Sequence, residues 1–218
     1  MSNTGRPGAL PPLVDVEWVR EHRSEVIVAD VRWYLDGRSA RAAYEAGHVP
    51  GALFVDMDTI DGRTPVIAYD DSAGGTAGRL VVMLRALGCD AALLDGGIAA
   101  WGEPLETGAG PVPIATTFAV RPWPADRFAT ADEVAAVAAG AGDAAQTVLL
   151  DARAGERFRG ESEPIDPRPG HIPGARNAPW AANLDPSTGR FRSAPDLRAH
   201  YGALGVDGTV DVVCYCGS

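Results

Sequence analysis

The sequence predicts an α/β protein in which parallel sheets are flanked by helices, and two observations lead to this fold class. Short apolar runs of strand length alternate with segments of helical periodicity. This alternation is typical of parallel sheets that helices cover on both faces. In addition, the chain of 218 residues repeats the same sequence blocks in the same order, which indicates two similar domains.

Five buried strands are predicted, each from a continuous apolar run. The runs are VIVAD at 26–30, PVIAY at 65–69, AALLD at 91–95, TVLLD at 147–151 and VDVVC at 210–214. Runs of this kind are typical of strands that are buried on both faces of a sheet. We therefore expect them to form the centre of each domain.

Four helices are predicted from capping residues, helical spacing of apolar residues and terminal glycines. They lie at about 39–47, 76–88, 130–139 and 193–205. The third begins with Thr130 and Glu133, whose spacing is that of a capping box. The fourth begins at Ser193 and ends at Gly205.

The internal repeat consists of three blocks. An apolar strand that ends in Asp-x-Arg is followed by Gly-His-apolar-Pro-Gly-Ala, and then by a second apolar strand that leads into a polar turn. The blocks lie at 26–32, 47–52 and 64–72 in the first copy, and at 147–153, 170–175 and 210–218 in the second. Tyr69 thereby aligns with Tyr215, and Asp70 with Cys216.

Composition and charge exclude several classes of function. All 19 basic residues are Arg, so the chain has no lysine for a Schiff base, a pyridoxal phosphate site or a P-loop. The net charge of −10 disfavours non-specific binding of nucleic acid. The sequence has no apolar run of membrane-spanning length and no signal-peptide pattern, and its three Cys are too few for a disulfide scaffold. We therefore expect a cytoplasmic protein that does not bind membranes.

The repeated blocks resemble the rhodanese superfamily, and more narrowly its tandem-domain sulfurtransferases of the thiosulfate/3-mercaptopyruvate type. The resemblance extends from about Val14 to Ser218. Besides the repeated blocks, its markers are DVRWYL at 30–35, LDGGIAAW at 94–101, NAPW at 177–180 and CYCGS at 214–218. The resemblance implies two rhodanese-like domains, of which the second is catalytic and the first is an inactive copy.

The predicted domain boundaries follow from this duplication. Residues 1–105 form a rhodanese-like domain, 106–124 a linker rich in Gly and Pro, and 125–218 the catalytic rhodanese-like domain. Where the second copy has Cys216, the first has Asp70, and a carboxylate cannot carry a transferable sulfur. The first domain is therefore expected to be inert.

The two copies differ in length in two places. The stretch 73–101 of the first copy has no counterpart in the second, which ends at Ser218. We expect the second domain to be incomplete at its C-terminus and the active protein to include further polypeptide, attached or as a separate fragment. The first copy is short between its Gly-His block and its second strand, which raises the question of a missing segment between Asp58 and Asp61.

The resemblance assigns the catalytic nucleophile to Cys216, which follows the second repeated strand. A thiolate there needs a loop whose backbone N–H groups converge on the sulfur, and Gly217 permits such a loop. The resemblance places Gly217, Ser218, Arg157 and, more approximately, Arg168 at the substrate. A guanidinium binds a carboxylate or a sulfur oxyanion through two parallel hydrogen bonds. The alternative for both arginines is a solvated surface position.

Residues that occur in both copies are interpreted as structural, because the first copy is expected to be inert. His48 and His171 occupy the two Gly-His blocks, and each imidazole is expected to bind backbone atoms at the Pro-Gly turn. Arg32 and Arg153 occupy the two Asp-x-Arg blocks and are likewise expected to make structural bonds.

The two remaining cysteines are not expected to act in catalysis: Cys89 is expected to be structural, and Cys214 to be a buried apolar residue. Cys89 follows the glycine that ends a helix. Cys214 lies two residues before Cys216, and a role as its redox partner is the alternative.

The predicted function is transfer of a sulfane sulfur from a small anionic donor to a thiol or cyanide through a persulfide on Cys216. The Cys-Gly-Ser sequence at 216–218 resembles that of mercaptopyruvate-type members, whereas thiosulfate-type members usually have a basic residue directly after the cysteine. The resemblance therefore favours 3-mercaptopyruvate over thiosulfate. A thioredoxin-like protein is one candidate acceptor, and no metal or cofactor is expected. Two other functions remain open: a Cys-x5-Arg phosphatase-like enzyme and a non-catalytic rhodanese-fold binding module.

Overall fold

The computed structural model describes residues 10–34, 36–55, 64–112, 122–140 and 146–216. Gly217, Ser218 and the stretch between Asp58 and Asp61 lie outside these residues. The chain divides into two compact units, of which the first ends at Pro124 and the second begins at Ala125.

The first unit contains a five-stranded parallel sheet. Its strands are β1 (Leu13–Val14), β2 (Ile27–Asp30), β3 (Leu53–Phe54), β4 (Val66–Tyr69) and β5 (Ala91–Leu94). They lie in the order β1-β5-β4-β2-β3, and every neighbouring pair is parallel. The three predicted strands of this unit are confirmed to within one residue at each end.

Helices follow the strands as the capping residues predict. They are α1 (Val16–Glu21), α2 (Ala40–Ala46) and α3 (Ala77–Ala86), with a 3-10 helix at Gly97–Ala100. The side chain of Ser39 accepts a hydrogen bond from the N–H of Ala42 and so begins α2. Helix α3 buries Leu80, Val81 and Leu84, which covers the sheet.

The core of the first unit surrounds its central strand. All four residues of β4 are buried, because β2 and β5 flank the strand in the sheet. Ile67 and Tyr69 belong to one apolar cluster with Val28, Leu94 and Trp101. This packing fixes the carboxyl end of β4, where Asp70 lies.

The second unit repeats part of this sheet. Its strands β6 (Thr147–Asp151), β7 (Arg176–Asn177) and β8 (Asp211–Tyr215) are parallel and lie in the order β7-β6-β8. Its helices are α4 (Ala131–Ala138), α5 (Gly155–Phe158) and α6 (Ala194–Ala203), with 3-10 helices at Ala125–Arg127 and Trp180–Asn183. The predicted capping box of Thr130 and Glu133 is present.

The environment of β8 differs from that of its counterpart β4. Strand β8 lies at the edge of the described sheet, and Val212 on it is 42% exposed. Cys214 is exposed as well, so the prediction that it is buried is wrong. The apolar run was identified correctly, but burial depends on neighbouring strands that the run itself does not specify.

The predicted linker begins with residues that bind the first unit. Glu106 and His48 exchange two backbone hydrogen bonds of 2.8 Å, and the N–H of Gly108 donates to the carbonyl of Glu45. The segment that joins the units therefore starts after these residues rather than at Glu106. Among the helices that the structure describes, none is long and apolar enough to cross a membrane.

Candidate active site

Cys216 lies at the carboxyl edge of the second sheet, directly after β8. The preceding residue, Tyr215, lies opposite Asp151 at the end of β6. Its carbonyl accepts a hydrogen bond of 2.9 Å from the N–H of Ala152, and its hydroxyl accepts one of 3.1 Å from the N–H of Ile172. Cys216 itself is exposed.

The first unit has the same arrangement at the end of β4. Tyr69 lies opposite Asp30, and its carbonyl accepts a hydrogen bond of 2.8 Å from the N–H of Val31. Its hydroxyl accepts a hydrogen bond of 3.1 Å from the N–H of Val49. The structure thus aligns Asp70, the next residue, with the cysteine that follows β8, as the repeat predicts.

The Asp70 carboxylate is held by donors that converge on it from the following loop. The side chain is fully buried. Its oxygens accept hydrogen bonds of 2.8–3.0 Å from the N–H groups of Ser72, Gly74, Thr76 and Ala77 and from the Thr76 hydroxyl. We call this set of donors the Asp70 nest.

The Asp70 nest stabilises a negative charge. Burial alone would raise the pKa of Asp70, but the N–H groups of Ala77, Gly74, Thr76 and Ser72 outweigh it and hold that pKa below its ordinary value. Gly74 has a φ of 99°, a conformation that favours glycine, and α3 begins at the nest, so its N-terminus adds a favourable potential. The corner after the repeated strand is therefore built for an anion in the first unit.

The Asp-x-Arg blocks are structural in both units, as predicted. Arg32 binds Asp30 through two side-chain nitrogens and donates a hydrogen bond of 2.8 Å to the carbonyl of Gly47. Arg153 binds Asp151 in the same way and donates to the carbonyl of Gly170 at 2.6 Å. Each arginine joins the end of a strand to its Gly-His block.

The two histidines bind backbone atoms, as predicted, but these atoms belong to the preceding helix and not to the Pro-Gly turn. Nδ1 of His48 lies 2.9 Å from the carbonyl oxygen of Tyr44, and the two rings are stacked. Nδ1 of His171 lies 2.7 Å from the carbonyl oxygen of Phe158, again with stacked rings. Cys89 is buried.

Arg157 lies on α5, which follows β6, so it is at the same edge of the sheet as Cys216. It is bound by two carboxylates that the sequence analysis did not single out. Nη2 of Arg157 lies 2.7 Å from Oε1 of Glu163 and 3.0 Å from Oδ2 of Asp166. Arg153 also contacts both carboxylates, at 3.1 Å and 3.5 Å. The guanidinium of Arg157 is therefore already paired.

Glu163 is the centre of this cluster. Hydrogen bonds from the Arg157 side chain, and from the N–H groups of Asp166 and Ile165, lower its pKa to about 2. The sequence signal that could have found it is the acidic composition of residues 161–166, which directly follow the predicted substrate arginine.

Arg168 has a different environment. It is exposed and has no ion pair with any residue in the described part of the chain. Its charge is thus not compensated by a neighbour as that of Arg157 is. Within the described residues, no group of His, Cys, Asp and Glu could hold a metal ion.

Comparison with known proteins decides the family. A family model of the rhodanese-like domain matches residues 15–104, within the first unit. The putative thiosulfate sulfurtransferase SseB of Mycobacterium tuberculosis is 34% identical over 226 residues, which cover 88% of this chain and 78% of that protein. The chain belongs to the rhodanese superfamily of sulfurtransferases.

Other rhodanese-family proteins agree with this assignment. A probable 3-mercaptopyruvate sulfurtransferase of Pseudomonas aeruginosa is 35% identical over 234 residues, covering 89% of this chain and 79% of that protein. The crystal structure of SseA from Escherichia coli, a 3-mercaptopyruvate sulfotransferase, superposes with a TM-score of 0.80 at 25% identity, covering 95% and 89% of the two chains. The predicted fold class and the predicted enzyme class, a sulfurtransferase, are confirmed.

Proposed function

We propose that this rhodanese-family enzyme transfers a sulfane sulfur from a small anionic donor to a thiol or cyanide through a persulfide on Cys216. One observation carries the proposal. Cys216 occupies the corner at which the first unit holds the Asp70 carboxylate in its nest of donors. An anionic side chain at this corner is stabilised by backbone N–H groups, and a thiolate or a persulfide is such an anion.

The reaction then proceeds in two displacements. The Cys216 thiolate attacks the sulfane sulfur, and the bond between that sulfur and the rest of the donor breaks. The electron pair leaves with sulfite when thiosulfate is the donor, or with the enolate of pyruvate, which then takes a proton, when 3-mercaptopyruvate is the donor. An acceptor thiolate or cyanide next attacks the outer sulfur of the persulfide and releases the Cys216 thiolate.

Arg157 and Arg168 are proposed to bind the anionic part of the donor, with Gly217 and Ser218 beside the reacting sulfur. Arg157 lies at the same sheet edge as Cys216, and the exposed Arg168 has no ion-pair partner among the described residues. We favour 3-mercaptopyruvate as the donor, because residues 217 and 218 carry no positive charge to pair with the second negative charge of thiosulfate. A guanidinium suits its single carboxylate.

The first unit is proposed to have no turnover of its own. Asp70 fills its nest with a carboxylate that has no transferable sulfur, and its five hydrogen bonds leave no donor of the nest for a substrate anion. Its contribution is therefore structural.

Matched cysteine substitutions test the proposal. Cys216→Ser should abolish the formation of thiocyanate from cyanide and of sulfide from 3-mercaptopyruvate with a thiol, because a hydroxyl cannot form a persulfide. The control is Cys89→Ser, at a buried cysteine of the first unit, which should retain most of the activity per folded molecule. Equal losses in the two variants, or an active Cys216→Ser variant, would rule out the assignment.

A further inference from the structure

The carboxylates on Arg157 differ in how firmly they are held. The cluster consists of two guanidinium groups, those of Arg153 and Arg157, and three carboxylates, those of Asp151, Glu163 and Asp166. Among the described residues of the first unit, the equivalent cluster contains Asp30 and Arg32 alone. Within the described part of the chain, the additional charges thus occur in the copy that has the cysteine.

Glu163 is a fixed part of this cluster. Its side chain is only 4% exposed. It accepts hydrogen bonds from Arg153 and from two nitrogens of Arg157, and from the backbone N–H groups of Ile165 and Asp166. Removing a buried carboxylate with this many donors would leave several of them unpaired.

Asp166 is held much less firmly. Its side chain is 36% exposed, and it contacts Arg157 through a single hydrogen bond of 3.0 Å and Arg153 only at 3.5 Å. An exposed pair of this kind contributes little to stability. Its carboxylate can therefore turn towards solvent at small cost, and this frees an N–H of Nη2 of Arg157 for another acceptor.

From this contrast we infer that Asp166 is a displaceable carboxylate, which occupies on Arg157 the position that the carboxylate of the sulfur donor takes. The inference rests on the proposed function, since it assigns the donor to Arg157. A carboxylate arriving at Arg157 replaces Asp166, while Glu163 stays and keeps the guanidinium in place. Asp166 thus sets the affinity of the site for anions.

The same arrangement discriminates between donors by charge. Glu163 and Asp166 add two negative charges next to the substrate position, and like charges repel a dianion more than a monoanion. Thiosulfate is a dianion, whereas 3-mercaptopyruvate carries one carboxylate. Asp166 therefore disfavours thiosulfate more strongly than it disfavours the carboxylate donor.

Anion binding without turnover tests this inference. The probes are pyruvate and thiosulfate, each titrated by calorimetry into the full chain carrying Cys216→Ser, which prevents sulfur transfer. In that background, Asp166→Asn should tighten pyruvate binding about two- to five-fold, the scale of one partly exposed charge pair. It should tighten thiosulfate binding by a larger factor.

The matched control is Glu161→Gln, which removes the same charge from the same segment. Glu161 pairs with Arg159 and not with Arg157, so this variant should change pyruvate affinity less than two-fold, as expected for an exposed pair. In the same Cys216→Ser background, Arg157→Ala should abolish the gain in pyruvate affinity that Asp166→Asn causes.

Each outcome decides the inference. The inference would be overturned if Asp166→Asn left pyruvate binding unchanged or made it weaker. It would also be overturned if pyruvate bound to the Cys216→Ser protein neither with nor without Asp166→Asn, or if Glu161→Gln gave an equal gain in affinity. Binding that is detectable only in Asp166→Asn would support it. A lack of sulfur transfer by the wild-type enzyme would refute the proposed function alone, because the titrations require no turnover.

Discussion

Replacing Asp70 by Asn tests whether the corner after the repeated strand is built for an anion. The amide keeps one oxygen, which can still accept the N–H groups of Ser72 and Gly74. Its NH2 group faces the N–H groups of Thr76 and Ala77, which now bond to Asp70 at 2.8 Å. The Thr76 hydroxyl can adapt, because it also lies 3.0 Å from the carbonyl oxygen of Val31.

Two buried N–H groups therefore lose their acceptor in Asp70→Asn. An unsatisfied buried group costs about 1–3 kcal/mol, so the free energy of unfolding of the first unit should fall by about 2–6 kcal/mol. A purely steric role of Asp70 predicts almost no change, because Asn has nearly the same shape.

Hydrogen exchange of the β4 amides under native conditions measures this loss in the first unit, even if the two units unfold separately. The control is Asp71→Asn, at an exposed neighbour whose carboxylate accepts one hydrogen bond, from Tyr34. It should cost less than about 1 kcal/mol. A loss below about 1 kcal/mol for Asp70→Asn, or equal losses in both variants, would refute the reasoning.

Two further predictions concern pH and donor choice. The pKa of Asp70 is lower in the folded than in the unfolded chain, so the ionised carboxylate stabilises the fold fully above about pH 4, and this stabilisation is lost as the pH falls through the folded pKa. Acid unfolding should show this loss in wild type and not in Asp70→Asn. Parallel unfolding curves of the two proteins would contradict the prediction. Arg157→Ala should raise KM for 3-mercaptopyruvate about 10- to 100-fold through loss of charge-assisted hydrogen bonds. Steady-state kinetics should show no such rise for the control Arg159→Ala, which loses the exposed pair with Glu161. In the wild-type enzyme, kcat/KM should be higher for 3-mercaptopyruvate than for thiosulfate. An unchanged KM in Arg157→Ala together with a preference for thiosulfate would overturn this donor assignment.

The sequence was sufficient for the features of the fold that depend on local pattern. Continuous apolar runs located β2, β4, β5 and β6, since a strand buried on both faces has no polar side to interrupt the run. The run at β8 also located a strand, although that strand is partly exposed. Capping residues located α2, α4 and α6, because a side chain such as Ser39 satisfies an N–H group in the first turn of its own helix. Helix α3, which has no side-chain cap, was located by the spacing of its apolar residues, and α1 and α5 were not predicted. The repeat supplied the alignment of Asp70 with Cys216.

Features that depend on distant contacts were beyond the sequence. The exposure of Cys214 depends on which neighbouring strands and helices cover β8, and an apolar run does not encode those neighbours. Glu163 and Asp166 are brought to Arg153 by the turns of the segment between them. Their pairing could therefore be predicted only from the path that the backbone takes there. The sequence showed that Asp70 replaces a cysteine. Four of the five donors of its nest are backbone N–H groups, which every residue except proline has, so residue types do not reveal the nest.

The central claim is that Cys216 carries the sulfur, and mass spectrometry of the enzyme after incubation with donor alone tests it most directly. Without an acceptor the persulfide should accumulate, so the peptide that contains Cys216 should gain the mass of one sulfur atom. Cyanide or a thiol should remove it, since persulfide sulfur is open to attack by a nucleophile. The peptide that contains the buried Cys89 should remain unmodified. A peptide of Cys216 that stays unmodified while the enzyme turns over, or a sulfur found on another cysteine, would contradict the account.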